Sequence, residues 1–279
     1  MLGVVMLIGA TDTGKTTLSR LILQDALDAG ITAAFIDGDI GVPVVGPPAC
    51  VGLRTVKSED DLADLNRADE LRFVGSTSPQ GVILPYVVSV AALVDIAHSE
   101  AELVVLDTTG EVSGVVGQTI VYHLMELCKP TLVIAMHRGQ EMDPITGMLR
   151  RFLSARVAMA NPPPGMVVPT PTQRRQARVD TFAAALAPPL QRWRVQTSVF
   201  APTLPEAFDL SRLDGMLVGV QDDKGRCLGL GVLEYGDGVV RVATRHGEDM
   251  RGLRLGSMRL DLDTFDTSRV RLRQLIFGV

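Results

Sequence analysis

The chain of 279 residues has only three cysteines, Cys50, Cys128 and Cys227, too scattered for a metal-spaced pair. Such spacing excludes a zinc-ribbon or disulfide-framework fold and predicts reduced core thiols. The four histidines, His98, His123, His137 and His246, are isolated as well, so no His-rich metal motif is present. No apolar run reaches the ~18 residues that a membrane-spanning helix needs. The N-terminal stretch Leu2 to Ile8 lacks a basic leader and is too short for a signal peptide. A cytoplasmic protein without a membrane partner is the expectation. Internal repeats and long low-complexity tracts are missing too. Hydrophobic residues at 46% and charged residues at 21% are ordinary for a globular chain.

The net charge of −5 argues against broad nucleic-acid affinity, but it averages two unlike regions. Residues 1 to 130 hold 17 acids and 7 bases. Residues 144 to 205 hold eight arginines, no lysine and a single acid, Asp180. Arginine presents a planar fork of donors that matches phosphate oxygens two at a time. The segment therefore reads either as solvated helix faces or as a phosphate-facing surface.

What the chain does contain is a phosphate-binding loop. Residues 9 to 17, Gly-Ala-Thr-Asp-Thr-Gly-Lys-Thr-Thr, fit G-x-x-x-x-G-K-[ST] at every fixed position. An apolar run from Leu2 to Ile8 precedes it, and a helical pattern from Thr17 to Leu27 follows. Glycine lets the backbone turn its N–H groups toward a phosphate, and the helix adds its positive end. Gly9, Asp12, Thr13, Gly14, Lys15, Thr16 and Thr17 form the expected nucleotide-binding set. Lys15 would reach the β/γ-phosphates and the Thr16 hydroxyl a Mg²⁺ ion.

Further short apolar runs read as strands at Ile31–Asp37, Leu71–Gly75, Leu103–Asp107 and Thr131–Met136. Helical patterns separate them at 89–99, 117–128 and 141–158. This alternation predicts an α/β fold, a doubly wound, mostly parallel sheet of the P-loop NTPase type, over residues 1–200. Ligands bind such sheets at the carboxyl ends of the strands. One of those ends carries Asp37-Gly-Asp39, where one carboxylate is expected to face the nucleotide as base or Mg²⁺ ligand, Asp39 being favoured as the nearer to the following loop. An Asx turn is the competing reading. Ser76, Thr77 and Ser78 follow another strand, free to bind a ligand or to cap a helix. Asp107 ends a strand where a second Mg²⁺ carboxylate belongs.

Past Asn161 the prolines 162, 163, 164, 169 and 171 mark a hinge. A helix follows, with Thr172 as expected N-cap and Arg174 or Arg175 sharing a face with Arg178. Such an arginine-faced helix, near 172–187, suits a lid over a triphosphate. Beyond residue 200, alternating runs at 215–220, 227–235, 239–244, 253–262 and 270–277 predict a small all-β domain, 201–279. Trp193, between Arg192 and Arg194, fits core packing or base stacking.

Taken together, these motifs resemble the polynucleotide 5′-hydroxyl kinases of the RNA-processing type, archaeal and eukaryotic. The resemblance rests on the loop with its internal Asp12, on Phe35-Ile-Asp-Gly-Asp39-Ile-Gly41 with Gly46-Pro-Pro-Ala-Cys-Val-Gly-Leu53, and on Phe73-Val-Gly-Ser-Thr-Ser-Pro79. It extends through Asp107-Thr-Thr-Gly110 with Gly114 and the Arg174-Arg175-x-x-Arg178 lid, covering about residues 1 to 190. It implies transfer of the γ-phosphoryl of ATP, with Mg²⁺, to 5′-hydroxyl ends of RNA or DNA. By position, Asp39 would take the hydroxyl proton, Thr16, Asp39 and Asp107 would serve the metal, and Thr77 and Thr109 would meet the polynucleotide. Lys15, Arg174, Arg175 and Arg178 would steady the transferring group, and the β domain would offer a surface to protein partners. Two positions depart from the family: Val42 stands where it usually has glutamine, and Glu111 where eukaryotic members have a base-clamping tryptophan. They imply a differently organised substrate grip. Two alternatives remain open: an ATP-binding regulatory or scaffold protein without kinase activity, and a small-molecule enzyme of the dethiobiotin-synthetase type.

Overall fold

Short runs of Val, Ile, Leu and Ala punctuated by Gly, Asp and Thr build the first sheet. The computed structural model describes residues 3–153, 155–163 and 165–278. Leu2 of the expected opening strand and Pro164 of the proline run lie outside the described residues. In chain order come β1 (Gly3–Gly9), α1 (Lys15–Asp28), β2 (Ala33–Asp37), β3 (Cys50–Val56), α2 (Glu59–Ala63), β4 (Glu70–Phe73) and α3 (Ile83–Glu100). They continue with β5 (Leu103–Asp107), α4 (Gly114–Cys128), β6 (Leu132–Met136), α5 (Asp143–Phe152), β7 (Val157–Ala160) and α6 (Pro171–Ala185). The strand order is β4-β3-β2-β5-β1-β6-β7, with β2, β5, β1, β6 and β7 parallel and β3 and β4 antiparallel. This is the P-loop-type α/β architecture. Leu7 and Asp37 both sit in register with Asp107, and Gly9 with Met136, so the carboxyl ends of β1, β2, β5 and β6 share one edge.

Two strands of this sheet differ from the expected pattern. The turn-rich stretch Gly46-Pro-Pro-Ala-Cys-Val-Gly52 predicts a loop, yet from Cys50 it opens the fully buried β3. Its Arg54 is tolerated because Asp61 and Asp69 bond the guanidinium at 2.7 and 2.8 Å. The helical pattern over 141–158 ends at Phe152, and its last residues enter β7 beside β6. A short apolar run has no period long enough to separate helix from strand.

Helices α3, α4 and α5 cover one face of the sheet through Tyr86, Val90, Leu93, Ile120, Leu124 and Leu149. α1 and α2 cover the other through Leu23, Ala26 and the neighbouring Leu65. Among the described helices, α3 is long and apolar enough to cross a membrane, but Tyr86, Val87, Val90, Leu93, Val94 and Ala97 pack into the protein core.

The second sheet contains β8 (Gln191–Arg194), β9 (Phe200–Ala201), β10 (Met216–Gln221), β11 (Cys227–Gly236), β12 (Val239–Thr244), β13 (Gly252–Leu260) and β14 (Thr267–Arg269). Its order is β14-β13-β10-β11-β12-β8, antiparallel except for β9, which runs parallel to β13. The chain thus enters this sheet at Gln191, ahead of residue 201. The run 270–277, expected as a strand, is instead the short helix α7 (Leu272–Phe277). Leu272, Leu275 and Ile276 recur at helical spacing, Leu275 and Ile276 are buried, and Gly278 closes the helix at φ 73°. Trp193 pairs with Val242 in register and packs on the core of this sheet, its indole ring against Gly247.

Candidate functional site

The site forms where the carboxyl ends of the central strands meet α1. At Gly9 a Cβ would stand 2.5 Å from the Met136 carbonyl oxygen, so the loop leaves β1 along a path open only to glycine. Gly14, at φ 88°, turns the chain into α1. Asp12 is left-handed too, at φ 61°. The Thr13 hydroxyl donates to the Ala10 carbonyl at 2.8 Å and braces the loop from within. Lys15 is buried, and its Nζ donates to the Gly9 and Ala10 carbonyls at 2.9 and 3.1 Å.

Thr16 and Asp107, 91 residues apart, meet at this edge: the Thr16 hydroxyl donates to Asp107 Oδ2 at 2.6 Å. Burial pushes the Asp107 carboxyl up to about 6, against the opposing pull of Lys15 and the Thr16 hydrogen bond. The other oxygen, Asp107 Oδ1, is buried with no hydrogen-bond partner among the described residues. An orphaned carboxylate oxygen beside a hydroxyl and a second carboxylate is an all-oxygen donor set that suits a hard cation. Among the described residues no three His, Cys, Asp or Glu side chains cluster as a complete cage. Mg²⁺ does not require one, because it keeps waters and phosphate oxygens as ligands.

The two carboxylates after β2 divide their tasks. Asp37 is buried and accepts the backbone N–H groups of Asp39, Val44 and Val45, so it moulds the loop that follows. Burial, then the nearby negative charges of Asp107 and Asp39, raise it to about 8. Asp39 turns into the cavity, and one of its oxygens accepts from Gly41 N–H at 2.8 Å, an Asx turn that also aims the side chain. Gly38 permits this close folding, since a Cβ there would stand 2.7 Å from the Tyr86 hydroxyl.

Thr109 is buried, its N–H donating to Tyr86 Oη at 3.0 Å and its hydroxyl accepting from Glu111 N–H. Gly110 passes so close to the phosphate loop that a Cβ would lie 2.3 Å from Thr11 Oγ1. The Thr77 carbonyl oxygen lies against Gly41, on the far side of the Asp39 turn. The hydroxyl of Ser76 is committed to a local turn with Ser78.

A cavity of about 320 Å³ has Thr11, Asp12, Gly14, Lys15, Thr16, Thr17, Asp39, Asp107, Thr108 and Gly110 on its walls, while Asp37, Thr77 and Thr109 lie outside its lining. Met166, Val167 and Pro169, from the proline-marked connection, complete it. Composition identified that connection as a hinge; nothing in it signalled that its apolar residues wall the site. The arginines of 144–205 diverge. Arg174 Nη1 bonds Asp12 Oδ2 at 2.5 Å. Arg175 turns to Asp266 in the second sheet's β13–β14 loop at 2.6 Å. Arg178 has a buried Nε without a partner among the described residues. Arg192 pairs with Glu234. Arg138, after β6, donates to the Asp12 carbonyl and was not singled out in the sequence. Tyr86 was missed as well; the signal available was one tyrosine in the apolar first turns of α3.

The comparisons with known proteins match this geometry. The family model described as mRNA cleavage and polyadenylation factor CLP1 P-loop matches residues 9–184. A polyribonucleotide 5′-hydroxyl-kinase of Pyrococcus abyssi is 28% identical, over 82% of this chain and 78% of its own. One from Thermococcus kodakarensis is 24% identical, over 92% of this chain and 88% of its own. The fold also resembles Clp1p in the structure of the wild-type Clp1p–Pcf11p complex, with a TM-score of 0.68 at 12% identity, covering 92% of this chain and 74% of that one. With its phosphate loop, its Asp39 turn and its Thr16–Asp107 pair all inside the matched residues, the chain belongs to the CLP1 P-loop family.

Proposed function

We propose that this chain is an ATP-dependent polynucleotide 5′-hydroxyl kinase, which transfers the γ-phosphoryl group of ATP to the 5′-hydroxyl end of RNA or DNA. The observation that carries the reading is one cavity holding Lys15, the Thr16–Asp107 pair and Asp39, with Arg174 beside its rim. The loop N–H groups and α1 bind the phosphates. Lys15 exchanges the Gly9 and Ala10 carbonyls for phosphate oxygens. Thr16 and Asp107 would hold Mg²⁺, with Asp39 on the same cavity wall, and the ion would neutralise phosphate charge. Asp39 accepts the proton of the incoming hydroxyl and aligns its oxygen with the phosphorus. Arg174, released from Asp12, faces the charge of the transferring group. Arg175 and Arg178 support the reaction by seating α6. Little covalent chemistry is asked of the protein, and positioning with charge neutralisation supplies most of the acceleration. Free, buried cysteines suit a reducing, cytoplasmic setting.

The test is transfer of labelled γ-phosphate to matched 5′-hydroxyl RNA and DNA oligonucleotides in the presence of Mg²⁺. Wild type is expected to label an end, and Asp39→Asn to lose at least ~100-fold in rate while ATP binding holds within about twofold. Tight ATP retention without labelling of either polymer would overturn the kinase reading in favour of a regulatory nucleotide-binding protein.

A further inference from the structure

A second cavity, of about 540 Å³, opens between the two sheets and lies outside the nucleotide site. Its walls are Ser76, Gln80, Gly81 and Val82 from the β4–α3 connection and Ser257, Arg269, Val270 and Arg271 from the second sheet. Arg269 and Arg271 flank Val270 on an extended segment, so their side chains leave on the same side. Both are exposed, and neither guanidinium makes an ion pair or hydrogen bond among the described residues. Among the described residues no acid lines the cavity. Glu111, which Gln80 Nε2 reaches at 3.3 Å, also accepts from the Ser113 hydroxyl at 3.0 Å. Two unpaired guanidinium groups beside the Ser257 hydroxyl form a cationic recess that suits phosphodiester oxygens.

The position of the recess matters as much as its charge. Thr77, beside the Asp39 turn, and Gln80, on the recess wall, are three residues apart, so at most about 11 Å of chain separates them. The walls cannot drift apart. Ser257 N–H donates to the Gly75 carbonyl at 2.7 Å, and Val270 N–H to the Ser257 carbonyl at 2.8 Å. At Gly75, a Cβ would stand 2.7 Å from the Gly256 Cα. A strand whose 5′ end lies at Asp39 and passes Thr77 therefore reaches the recess within its first few nucleotides.

We propose that this cleft is the binding track for the single strand that trails the 5′ end, with Arg269 and Arg271 holding its phosphodiester groups. The inference rests on the kinase reading for the direction of the strand. It locates a grip on the backbone that does not depend on Glu111, which offers no stacking surface. Single-strand binding through phosphates weakens with salt by a log–log slope of about 0.7 per phosphate contact.

The experiment compares wild type with the double variant Arg269→Ala/Arg271→Ala and the charge-keeping Arg269→Lys/Arg271→Lys. Binding of a fluorescent 5′-hydroxyl eight-nucleotide strand is measured across a salt series, without ATP. Transfer of γ-phosphate is measured separately, to that strand and to a nucleoside 3′-monophosphate. The alanine pair is expected to bind the strand about tenfold more weakly, with the salt slope reduced by about 0.7 per arginine. Its KM for the strand should rise while that for the nucleoside 3′-monophosphate stays within about twofold, and the lysine pair should restore the slope. Unchanged strand affinity and slope in the alanine pair would overturn the track. So would weakened affinity in the alanine pair that the lysine pair fails to restore, since that would point to packing rather than charge. Failure of wild type to bind any strand would overturn it too. Failure of wild type to transfer phosphate while still binding the strand would overturn only the kinase reading, and the binding series would still decide the track. Weakened binding of an acidic peptide alone, with strand binding intact, would give the cleft to a protein partner instead.

Discussion

Asp12 occupies a variable place in the phosphate-loop pattern, yet it joins two arginines to that loop. Its carboxylate takes Arg174 from α6, and its carbonyl takes Arg138 from the end of β6. The ion pair is partly shielded, with Asp12's side chain 16% exposed and Arg174's 35%, so its net strength should resemble that of a partly exposed pair. A double-mutant cycle of Asp12→Asn and Arg174→Ala is expected to give a coupling of about 0.5–1 kcal/mol in chemical denaturation of the nucleotide-free protein. Asparagine is the right probe, because it tolerates the left-handed backbone at position 12 while removing the charge. Strictly additive variants would show that the pair does not hold the helix. Sequence spacing marked Asp12, Arg174, Arg175 and Arg178 as chemically interesting, but it could not say which arginine reaches the loop. Arg174 and Arg175 differ by one position, about 100° around a helix, and that step sends one to Asp12 and the other to Asp266. The divergence of Asp37 and Asp39 is not a matter of strand alternation, which puts residues two apart on one side. It arises because the chain leaves β2 at Asp37 and folds over at Gly38, so that Asp37 bonds the loop and Asp39 enters the cavity.

Among the elements, α6 shows how local chemistry places a functional helix. Its N-cap is Thr170 and not Thr172. The Thr170 hydroxyl accepts from Gln173 N–H, the Gln173 side-chain oxygen accepts from Thr170 N–H, and Pro171 fills the first helical position, where no N–H is needed. The T-x-x-Q pattern and that proline were readable in the sequence, and the capping box outcompetes a cap two residues later. Thr170→Ala should therefore cost about 1 kcal/mol of stability, with faster amide exchange confined to the first turn of α6. Exchange that rises equally through the whole helix would contradict a local cap. The parallel strands β1, β2, β5 and β6 were legible because each is a short apolar run ending in Asp, Gly or Met at the ligand edge. β3 was not, since its buried Arg54 disguises it and only the tertiary partners Asp61 and Asp69 make that burial tolerable. The helix α7 was misread for a different reason: six residues give both periods a partial match.

At the scale of the molecule, one core cluster ties the lid to both sheets. Phe182 and Leu186 of α6 and its exit pack with Ala49, Cys50 and Phe73 from the first sheet and with Leu217, Cys227, Leu230, Val232 and Met258 from the second. The seam is tight: a Cβ on Gly219 would stand 2.4 Å from the Phe73 ring. The thiols of Cys50 and Cys227 meet across it, and that contact together with burial holds the Cys50 thiol well above its ordinary range. α6 is therefore anchored at its C-terminal half inside the seam, while its N-terminal half reaches the phosphate loop through Arg174. Phe182 is fully buried and cannot slide without opening the core, so the C-terminal half of α6 is fixed against both sheets. Phe182→Ala should cost about 3–5 kcal/mol, the usual range for emptying an aromatic core site. Because the cavity would border both sheets and the helix, thermal unfolding should stay a single calorimetric transition at lower temperature, and not split into one shifted and one unshifted peak. Two separate transitions in wild type, with only one moved by the substitution, would show that the sheets fold independently and that the seam is not a shared core.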